Sequence, residues 1–305
     1  MLVNPKEYLA RARREHWALG GFNVFNFESA RAVIAAGEEL SAPLLLQTSE
    51  GAVKHVGLAN MVAMVRELAG QTKAPVALHL DHGKSEALAR AAVDAGYTSV
   101  MIDASRESYD ENLRETRDIV AYAHARGVHV EAELGTLGGI EDLGEQAARS
   151  MLTQPDEAVR FAAETGVDAL AVAIGTSHGA YKFKGPPQLD FDRLQEIAAR
   201  IAQPIVLHGA SSLPQEQILF AERYGAKLPH AQGIPPEFIQ KAVRMGIAKV
   251  NTDSDLRLAA LGRLRQVLVE RPEIFNMYEL MGEVEAAIRL ATVERIRLLG
   301  SDGKA

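Results

Sequence analysis

The sequence lacks cysteine entirely. Disulfide bonds and thiolate catalysis are therefore excluded, and a protein-bound metal would have to use histidine, aspartate or glutamate. The sequence also lacks a run of about 18 apolar residues, the length that indicates a membrane span. Its first residues lack the apolar segment of a signal peptide. We therefore expect a cytoplasmic protein without membrane contacts.

Basic residues do not outnumber acidic residues in this chain. The chain has 33 lysines and arginines against 40 aspartates and glutamates, a net charge of −7. Nucleic-acid binding depends on basic surface, so we expect no nucleic-acid partner, and an anionic substrate would need local binding groups. The hydrophobic fraction of 47% and the charged fraction of 24% are typical of a soluble globular protein.

Eight apolar segments alternate with helical patterns along the chain. The predicted strands cover about 19–25, 43–47, 75–83, 97–103, 128–134, 167–175, 204–212 and 246–255. Strands that alternate with helices form a parallel sheet, and eight such units in about 250 residues indicate an α/β fold of the (β/α)₈ TIM barrel type. No G-x-G-x-x-G opens the first unit, which disfavours the alternative, a doubly wound open sheet.

We expect one domain over residues 1–305. The barrel is predicted to have an N-terminal helix, an inserted helical loop after strand seven at about 212–245, and a C-terminal helical arm at about 273–300. No internal repeat, low-complexity tract or linker marks a second domain.

Polar residues follow the predicted strands at their carboxyl ends, where barrel enzymes place their active sites. Three of these ends carry a histidine directly before a glycine: His82-Gly83, His178-Gly179 and His208-Gly209. Any one of them is more simply explained as a structural histidine at the rim of the core. Three imidazoles around one barrel mouth, with an open fourth coordination position, are typical of a catalytic zinc site. The repeated pattern therefore predicts a metal site.

Two further histidines lie inside the predicted strands. His79 alternates with Asp81 and His129 alternates with Glu131, so all four side chains are predicted to face the barrel interior. We expect both histidines to be hydrogen-bonded interior residues that support the site.

A phosphate site is predicted from two neighbouring loops. After strand seven, the segment from Gly209 to Ser212 offers successive backbone amides and hydroxyl groups. After strand eight, the segment NTDSD opens a helix, and helix N-termini favour anions. Each segment alone is explained equally well as a turn or a helix cap, but the loops after strands seven and eight are the usual phosphate site of this barrel.

Five motifs give the chain a resemblance to a known family. In their order and spacing, LHLDHG, EAELGTLGG, IGTSHGAYK, VLHGAS and KVNTDSDLR resemble the metal-dependent (class II) fructose-bisphosphate aldolases, over essentially the whole chain. The resemblance implies reversible cleavage of fructose 1,6-bisphosphate to dihydroxyacetone phosphate and glyceraldehyde 3-phosphate, in glycolysis and gluconeogenesis. It also implies a homodimer or homotetramer and a divalent metal, foremost Zn²⁺ with Co²⁺ as the alternative. A second metal or a monovalent cation would complete the set of cofactors.

The resemblance also implies roles for individual residues. The catalytic metal ligands would be His82, His178 and His208, with Asp103 and Glu133 at a second metal position. Asp81 matches the group that protonates the aldehyde oxygen during cleavage, and Glu141 matches a mobile acid–base carboxylate. Ser49 matches a contact to the aldehyde half. The matches to the ketose-phosphate site are Gly179, Gly209, Ala210, Ser211, Asn251, Thr252, Asp253 and Ser254.

Two features bear on the sugar that is cleaved. The related tagatose-bisphosphate aldolases commonly read HGGSG after strand seven, whereas this chain reads HGASS and continues into the long insertion, as in the fructose branch. Members of the family often carry an arginine in the C-terminal arm for the second phosphate. The corresponding stretch MGEVEAAIR has Glu283 and Glu285 there, so this contact stays unassigned, with an arginine of a neighbouring subunit as one solution.

Two other hypotheses remain. Lys249 alternates with Asn251 on strand eight, and a buried lysine can be the nucleophile of a Schiff-base aldolase, but the three His-Gly pairs would then be unexplained. Alternatively, the chain is a non-catalytic barrel that binds sugar phosphates. The presence of Asp81 and Glu141 argues against that reading.

Overall fold

Eight parallel strands close into a barrel in the computed structural model, which describes residues 2–140, 146–147, 151–179 and 188–305. They are β1 (Leu19–Asn23), β2 (Leu44–Thr48), β3 (Val76–Gly83), β4 (Ser99–Ile102), β5 (His129–Leu134), β6 (Ala169–Val172), β7 (Ile205–Leu207) and β8 (Ile247–Thr252). Each strand pairs with the next, and β8 returns to β1 with Lys249 opposite Leu19. The predicted barrel is confirmed, and the doubly wound alternative is wrong.

All residues of these strands are buried. One face of each strand packs on the surrounding helices and the other fills the barrel interior, which explains the continuous apolar runs in the sequence. The predicted strands at 167–175 and 204–212 are shorter in the structure. The chain leaves the extended conformation beyond them, and Gly175 and Gly209 have positive φ angles of 107° and 60°.

Helices surround the barrel. They are α1 (Lys6–Glu15), α2 (Phe27–Glu39), α3 (Glu50–Val56), α4 (Leu58–Gly70), α5 (Glu86–Ala95), α6 (Tyr109–His124), α7 (Pro155–Thr165), α8 (Phe191–Arg200), α9 (Gln215–Arg223), α10 (Pro236–Arg244), α11 (Ser254–Glu270) and α12 (Met277–Leu299). Among the described residues, no helix is both long enough and apolar enough to span a membrane.

Two helical regions differ from the prediction. An additional helix, α3, precedes the one predicted at 56–69. It begins at Glu50 and is capped by Ser49, whose side chain accepts a hydrogen bond from the Ala52 amide. The helical sequence at 255–299 is split into α11 and α12 around Pro272, which has no amide hydrogen to continue a helix. The predicted insertion holds α9 and α10, and α12 forms the predicted C-terminal arm.

The two ends of the barrel interior have opposite character. At the amino ends of the strands, Leu9 and Trp17, from α1 and the segment after it, pack against inward side chains such as Leu45 and Val206 in a separate apolar cluster. At the carboxyl ends, the buried side chains include many polar and charged groups. The apolar end is a packed plug, so the chemistry of the barrel lies at the other end.

A small second sheet lies beyond the carboxyl ends. Its three short strands are Gly138–Ile140, Gln146–Ala147 and Ser177–His178. Gly138 pairs with Ser177 in parallel register. The sheet therefore joins the loop after β5 to the loop after β6, which carries His178.

Candidate metal and active site

Asp81 and His82 end β3 in a distorted stretch of backbone. The pairing of β3 with β4 shifts register between Leu80 and Gly83, and His82 has a left-handed φ of 49°. In a regular strand, successive side chains face opposite sides, whereas a bulge re-aims them. Both side chains are buried, and their ligand atoms form a group with those of His208 within 4.8 Å. A left-handed histidine costs about 1–3 kcal/mol and persists where the surroundings enforce it.

His82 and His208 point ring nitrogens at each other. His82 Nε2 lies 2.9 Å from His208 Nδ1. The other nitrogen of each ring contacts a carboxylate: His82 Nδ1 lies 2.7 Å from Asp103 Oδ2, and His208 Nε2 lies 2.8 Å from Glu131 Oε1. A carboxylate can only accept, so the nitrogens facing the acids carry the hydrogens, and in neutral rings the facing nitrogens present lone pairs. A proton or a metal ion shared by both nitrogens removes the repulsion between these lone pairs.

The acids behind the imidazoles are held in their charged form. Burial alone would raise the pKa of Asp103, but hydrogen bonds from His82 and Ser105 lower it well below its usual value. Burial would likewise raise the pKa of Glu131, and the Lys249 ammonium together with His208 lowers it. Carboxylates that orient histidine ligands in this way are the usual outer partners of protein metal sites.

Glu133 supplies a third group at the same place. Its Oε2 atom is buried, lies 3.4 Å from His208 Nδ1, and makes no hydrogen bond with any described residue. Burial and the charge of Asp103 raise the pKa of this carboxyl group. Leaving a buried carboxylate oxygen unsatisfied is costly. The ligand atoms of His82, Asp103 and Glu133 lie within 4.8 Å of one another, so a divalent cation would fit this set of nitrogen and oxygen donors.

Gly209 packs closely against the short strand Ser177–His178, which carries the third predicted histidine ligand, His178. A β-carbon at position 209 would lie 2.5 Å from the carbonyl oxygen of Ser177. Glycine therefore permits the Ser177–His178 backbone to pack against the loop that follows His208. The side chain of His178 lies outside the described part of the structure, and so does the whole of Glu141.

Asp81 is held by two amide groups. Asn23 Nδ2 donates to its Oδ2 and Asn251 Nδ2 donates to its Oδ1, each at 2.9 Å. Burial would raise the pKa of this carboxyl group, but the charges of His82, His208 and Lys249 outweigh it and hold the value at about 2. At neutral pH, Asp81 is an oriented carboxylate anion beside the imidazoles.

Beneath the imidazoles lies a buried chain of charged and polar groups. Lys249 Nζ donates to both oxygens of Glu131, at 3.0 and 2.7 Å, and lies 3.3 Å from His79 Nε2. The hydrogen-bonded chain then runs from His79 to His129. His79 Nδ1 lies 2.7 Å from Ser99 Oγ, which lies 3.0 Å from His129 Nδ1. Burial lowers the pKa of both histidines, that of His129 to about 4. Their predicted place in the interior is confirmed by their burial.

The same contacts argue against a Schiff-base lysine. A nucleophilic amine needs a free lone pair and access to substrate. The Lys249 ammonium instead directs its hydrogens to Glu131 and His79, and its side chain is fully buried.

The two loops of the predicted phosphate site lie side by side. The Asp253 amide lies 3.4 Å from Ser211 Oγ, joining the loop after β7 to the start of α11. Ala210 and Ser211 are buried, while Gly209, Asp253 and Ser254 are partly exposed. Thr252 is fully buried and accepts a hydrogen bond from Arg295 through its hydroxyl, so its side chain supports the loop from within.

The remaining predicted contacts are placed as follows. Gly179 directly follows His178 with a left-handed φ of 80°, and Ser49 is the cap of α3 at the end of β2.

In the C-terminal arm, Glu283 pairs with Arg263 and Arg271, and Glu285 pairs with Arg31. These acids are partners of arginines within this chain.

Some residues of the site were missed from the sequence or were considered for a different role. Gln47 donates to Asn23 Oδ1 at 2.9 Å and so supports the amide that holds Asp81. Glu131 and Lys249 form the ion pair behind His208. The available signal was a polar residue within an otherwise apolar strand, as in LLLQT and IAKVNT.

A barrel mouth with converging imidazoles, backed by ionised acids and flanked by a helix N-terminus, defines a metal-dependent barrel enzyme. A family model described as fructose-bisphosphate aldolase class-II matches residues 3–304. The chain is 46% identical over 306 residues to the fructose-bisphosphate aldolase of Thermus caldophilus, with both chains covered completely. It is 43% identical to that of Giardia intestinalis, covering 100% of this chain and 94% of the relative.

Solved structures of aldolases have the same fold as this chain. The YdjI aldolase from Escherichia coli K12 superposes with a TM-score of 0.80 at 32% identity, with all of both chains covered. A putative fructose-1,6-bisphosphate aldolase from Coccidioides immitis gives 0.82 at 30% identity, covering 99% of this chain and 97% of the other. The chain belongs to the class-II fructose-bisphosphate aldolase family. It is therefore a lyase of a family that uses a divalent metal and sugar-phosphate substrates.

Proposed function

We propose that this protein reversibly cleaves fructose 1,6-bisphosphate to dihydroxyacetone phosphate and glyceraldehyde 3-phosphate with a bound Zn²⁺. The observation that carries the proposal is the 2.9 Å approach of His82 Nε2 to His208 Nδ1, each ring backed by a carboxylate, beside the anionic Asp81. The full-length relatives named fructose-bisphosphate aldolase support the choice of substrate. We further propose one domain that assembles as a cytoplasmic homodimer or homotetramer.

The proposed metal ligands are His82, His178 and His208, with Asp103 and Glu133 able to hold a second cation. A divalent metal at this place supplies a Lewis acid that stabilises negative charge developing beside the substrate carbonyl. Asp103 and Glu131 keep the ring hydrogens on the far nitrogens, so the near nitrogens stay available as ligands.

Asp81 is proposed to move the proton at the other half of the substrate. Because its pKa is about 2, it is a proton acceptor at neutral pH. During cleavage it takes the proton of the C4 hydroxyl while the C3–C4 bond breaks and the electron pair passes to the ketose half. The expectation that Asp81 protonates the aldehyde oxygen during cleavage therefore has the direction reversed, since that donation belongs to condensation.

Asn23 and Asn251 aim the Asp81 carboxylate through their amide hydrogen bonds. We propose that the segments from Gly209 to Ser211 and from Asn251 to Ser254, together with Gly179, bind the ketose phosphate, and that Ser49 contacts the aldehyde half. Glu141 is proposed as the acid–base group at the dihydroxyacetone carbon.

Removal of the metal tests the proposal against its rivals. We expect EDTA to abolish aldol cleavage and Zn²⁺ or Co²⁺ to restore it, while borohydride with substrate leaves the enzyme active. Activity that survives EDTA but is lost with borohydride would instead indicate a Schiff base on Lys249. A metal-loaded protein that binds sugar phosphates without turning them over would be the non-catalytic barrel.

The choice of sugar is tested with the two epimers. Fructose and tagatose 1,6-bisphosphates differ in configuration at C4, the carbon whose hydroxyl faces Asp81 in the proposed reaction. Since two amides fix this carboxylate, a hydroxyl displaced by about 1 Å is expected to react about 10²-fold more slowly. We expect kcat/KM of the metal-loaded enzyme to favour fructose. Equal values, or a preference for tagatose, would overturn the assignment.

A further inference from the structure

We propose that Arg295, on the C-terminal helix α12, is a positioning residue that holds the two phosphate-binding loops at a fixed spacing. The inference rests on the proposed function, because the loops are assigned there to the substrate phosphate. Arg295 itself approaches the loops from the side of α12 and bonds their backbone and hydroxyl groups, so it acts through them.

The guanidinium group of Arg295 contacts both loops at once. Its Nη1 donates to Ser212 Oγ at 2.8 Å and its Nη2 donates to the Ala210 carbonyl oxygen at 3.3 Å, both in the loop after β7. Its Nε donates to Thr252 Oγ1 at 3.3 Å, at the end of β8. A planar, rigid fork of donors fixes three acceptors relative to one another, which a lysine ammonium cannot do.

Asp255 extends this arrangement into α11. Its Oδ2 lies 3.7 Å from Arg295 Nε and accepts the Ser212 amide at 3.1 Å. Its Oδ1 accepts the Leu213 amide at 2.6 Å. Leu213 has a left-handed φ of 45°, a conformation that a leucine adopts only where neighbours enforce it. The loop after β7 is therefore held in an unfavourable shape by the Arg295–Asp255 pair.

The guanidinium group of Arg295 is buried, and its burial requires specific hydrogen-bond partners. Arg295 is only 5% exposed, and taking a guanidinium out of water is costly unless its donors are paired. A cavity of about 540 Å³ also borders Arg295, Asp255 and Ser212, so this region is not tightly packed. Ala210 and Leu213 pack in apolar clusters, and the hydrogen bonds of Arg295 add to this packing in holding the loop after β7. A small displacement of substrate-positioning groups is enough to lower the rate.

The test compares Arg295→Lys with Arg297→Lys, a matched control at an exposed position of the same helix. Metal content, thermal unfolding, KM and kcat for fructose 1,6-bisphosphate, and the Kd of inorganic phosphate for the metal-loaded enzyme are measured. We expect Arg295→Lys to raise KM and the phosphate Kd at least about tenfold, with unchanged metal content and less effect on kcat. Arg297→Lys should match the wild-type protein in every measurement.

A folded Arg295→Lys variant with wild-type KM and phosphate Kd would overturn the inference, as would a loss of kcat and metal at constant KM. A second variant, Arg295→Met, removes all the donors of the guanidinium group and should raise KM and the phosphate Kd at least as much. If it fails to fold, the lysine variant still decides. The test separates a failure of this inference from a failure of the proposed function, because the phosphate Kd of the variant and of the wild-type protein are measured without turnover. A wild-type protein that binds phosphate but does not cleave the sugar would overturn the proposed reaction and leave the inference standing if Arg295→Lys still weakens phosphate binding. A wild-type protein that binds no phosphate would overturn the phosphate loops and this inference with them.

Discussion

Replacing His82 by alanine is expected to remove the bound metal and lower kcat/KM by at least about 10³-fold, since a Lewis-acid metal contributes several kcal/mol to transition-state stabilisation. His82 is one of two imidazoles that converge within 2.9 Å, and its other nitrogen is held by Asp103. Alanine leaves His208 without its neighbour. Metal content per chain and kcat/KM for fructose 1,6-bisphosphate, measured on the same preparation, check the prediction.

Asp81→Ala is the matched comparison, because Asp81 precedes His82 in the same bulge. It should retain the metal and lose about 10²–10⁴-fold in rate, the usual contribution of a general acid–base group. Thermal unfolding of both variants shows whether either change disturbs the fold. Equal loss of metal in the two variants would contradict the separate roles proposed for the carboxylate and the imidazole.

The second large effect is expected at Lys249. Lys249→Met would leave Glu131 as a buried carboxylate without its ammonium partner, and breaking such a pair costs about 3–5 kcal/mol. Both side chains are fully buried, with Lys249 Nζ 2.7 Å from Glu131 Oε2. Urea unfolding of the metal-free protein measures this loss without a contribution from metal binding.

Lys54→Met is the control for this prediction. Lys54 forms an ion pair with Glu50 at 3.0 Å on the surface of α3, where its side chain is 60% exposed. Exposed pairs contribute at most about 1 kcal/mol. If Lys249→Met were as mild as the control, the buried pair would not be a strong interaction. Adding Glu131→Gln to Lys249→Met should recover much of the stability, because the unpaired charge is then gone.

The architecture and the outline of the site were accessible without coordinates. The strand and helix patterns predicted the eight-unit barrel, because a strand buried on both faces and a helix with one apolar face have different periods. Barrel geometry then predicted that His82 and His208 would meet, although 126 residues separate them. The boundaries of the shorter strands and the additional helix α3 were not predicted, since local turns and caps decide them.

The sequence alone determined the fold class, the family and the residue types at the barrel mouth, because these follow from local patterns and ordered motifs. Only the tertiary structure decided how those residues pair. The bulge that brings Asp81 and His82 to one site depends on the register between β3 and β4. Likewise, the contacts of Lys249 with Glu131 and of Arg295 with Ser212 join side chains 118 and 83 residues apart. Such partnerships are set by packing between distant segments, which no periodicity along the chain records.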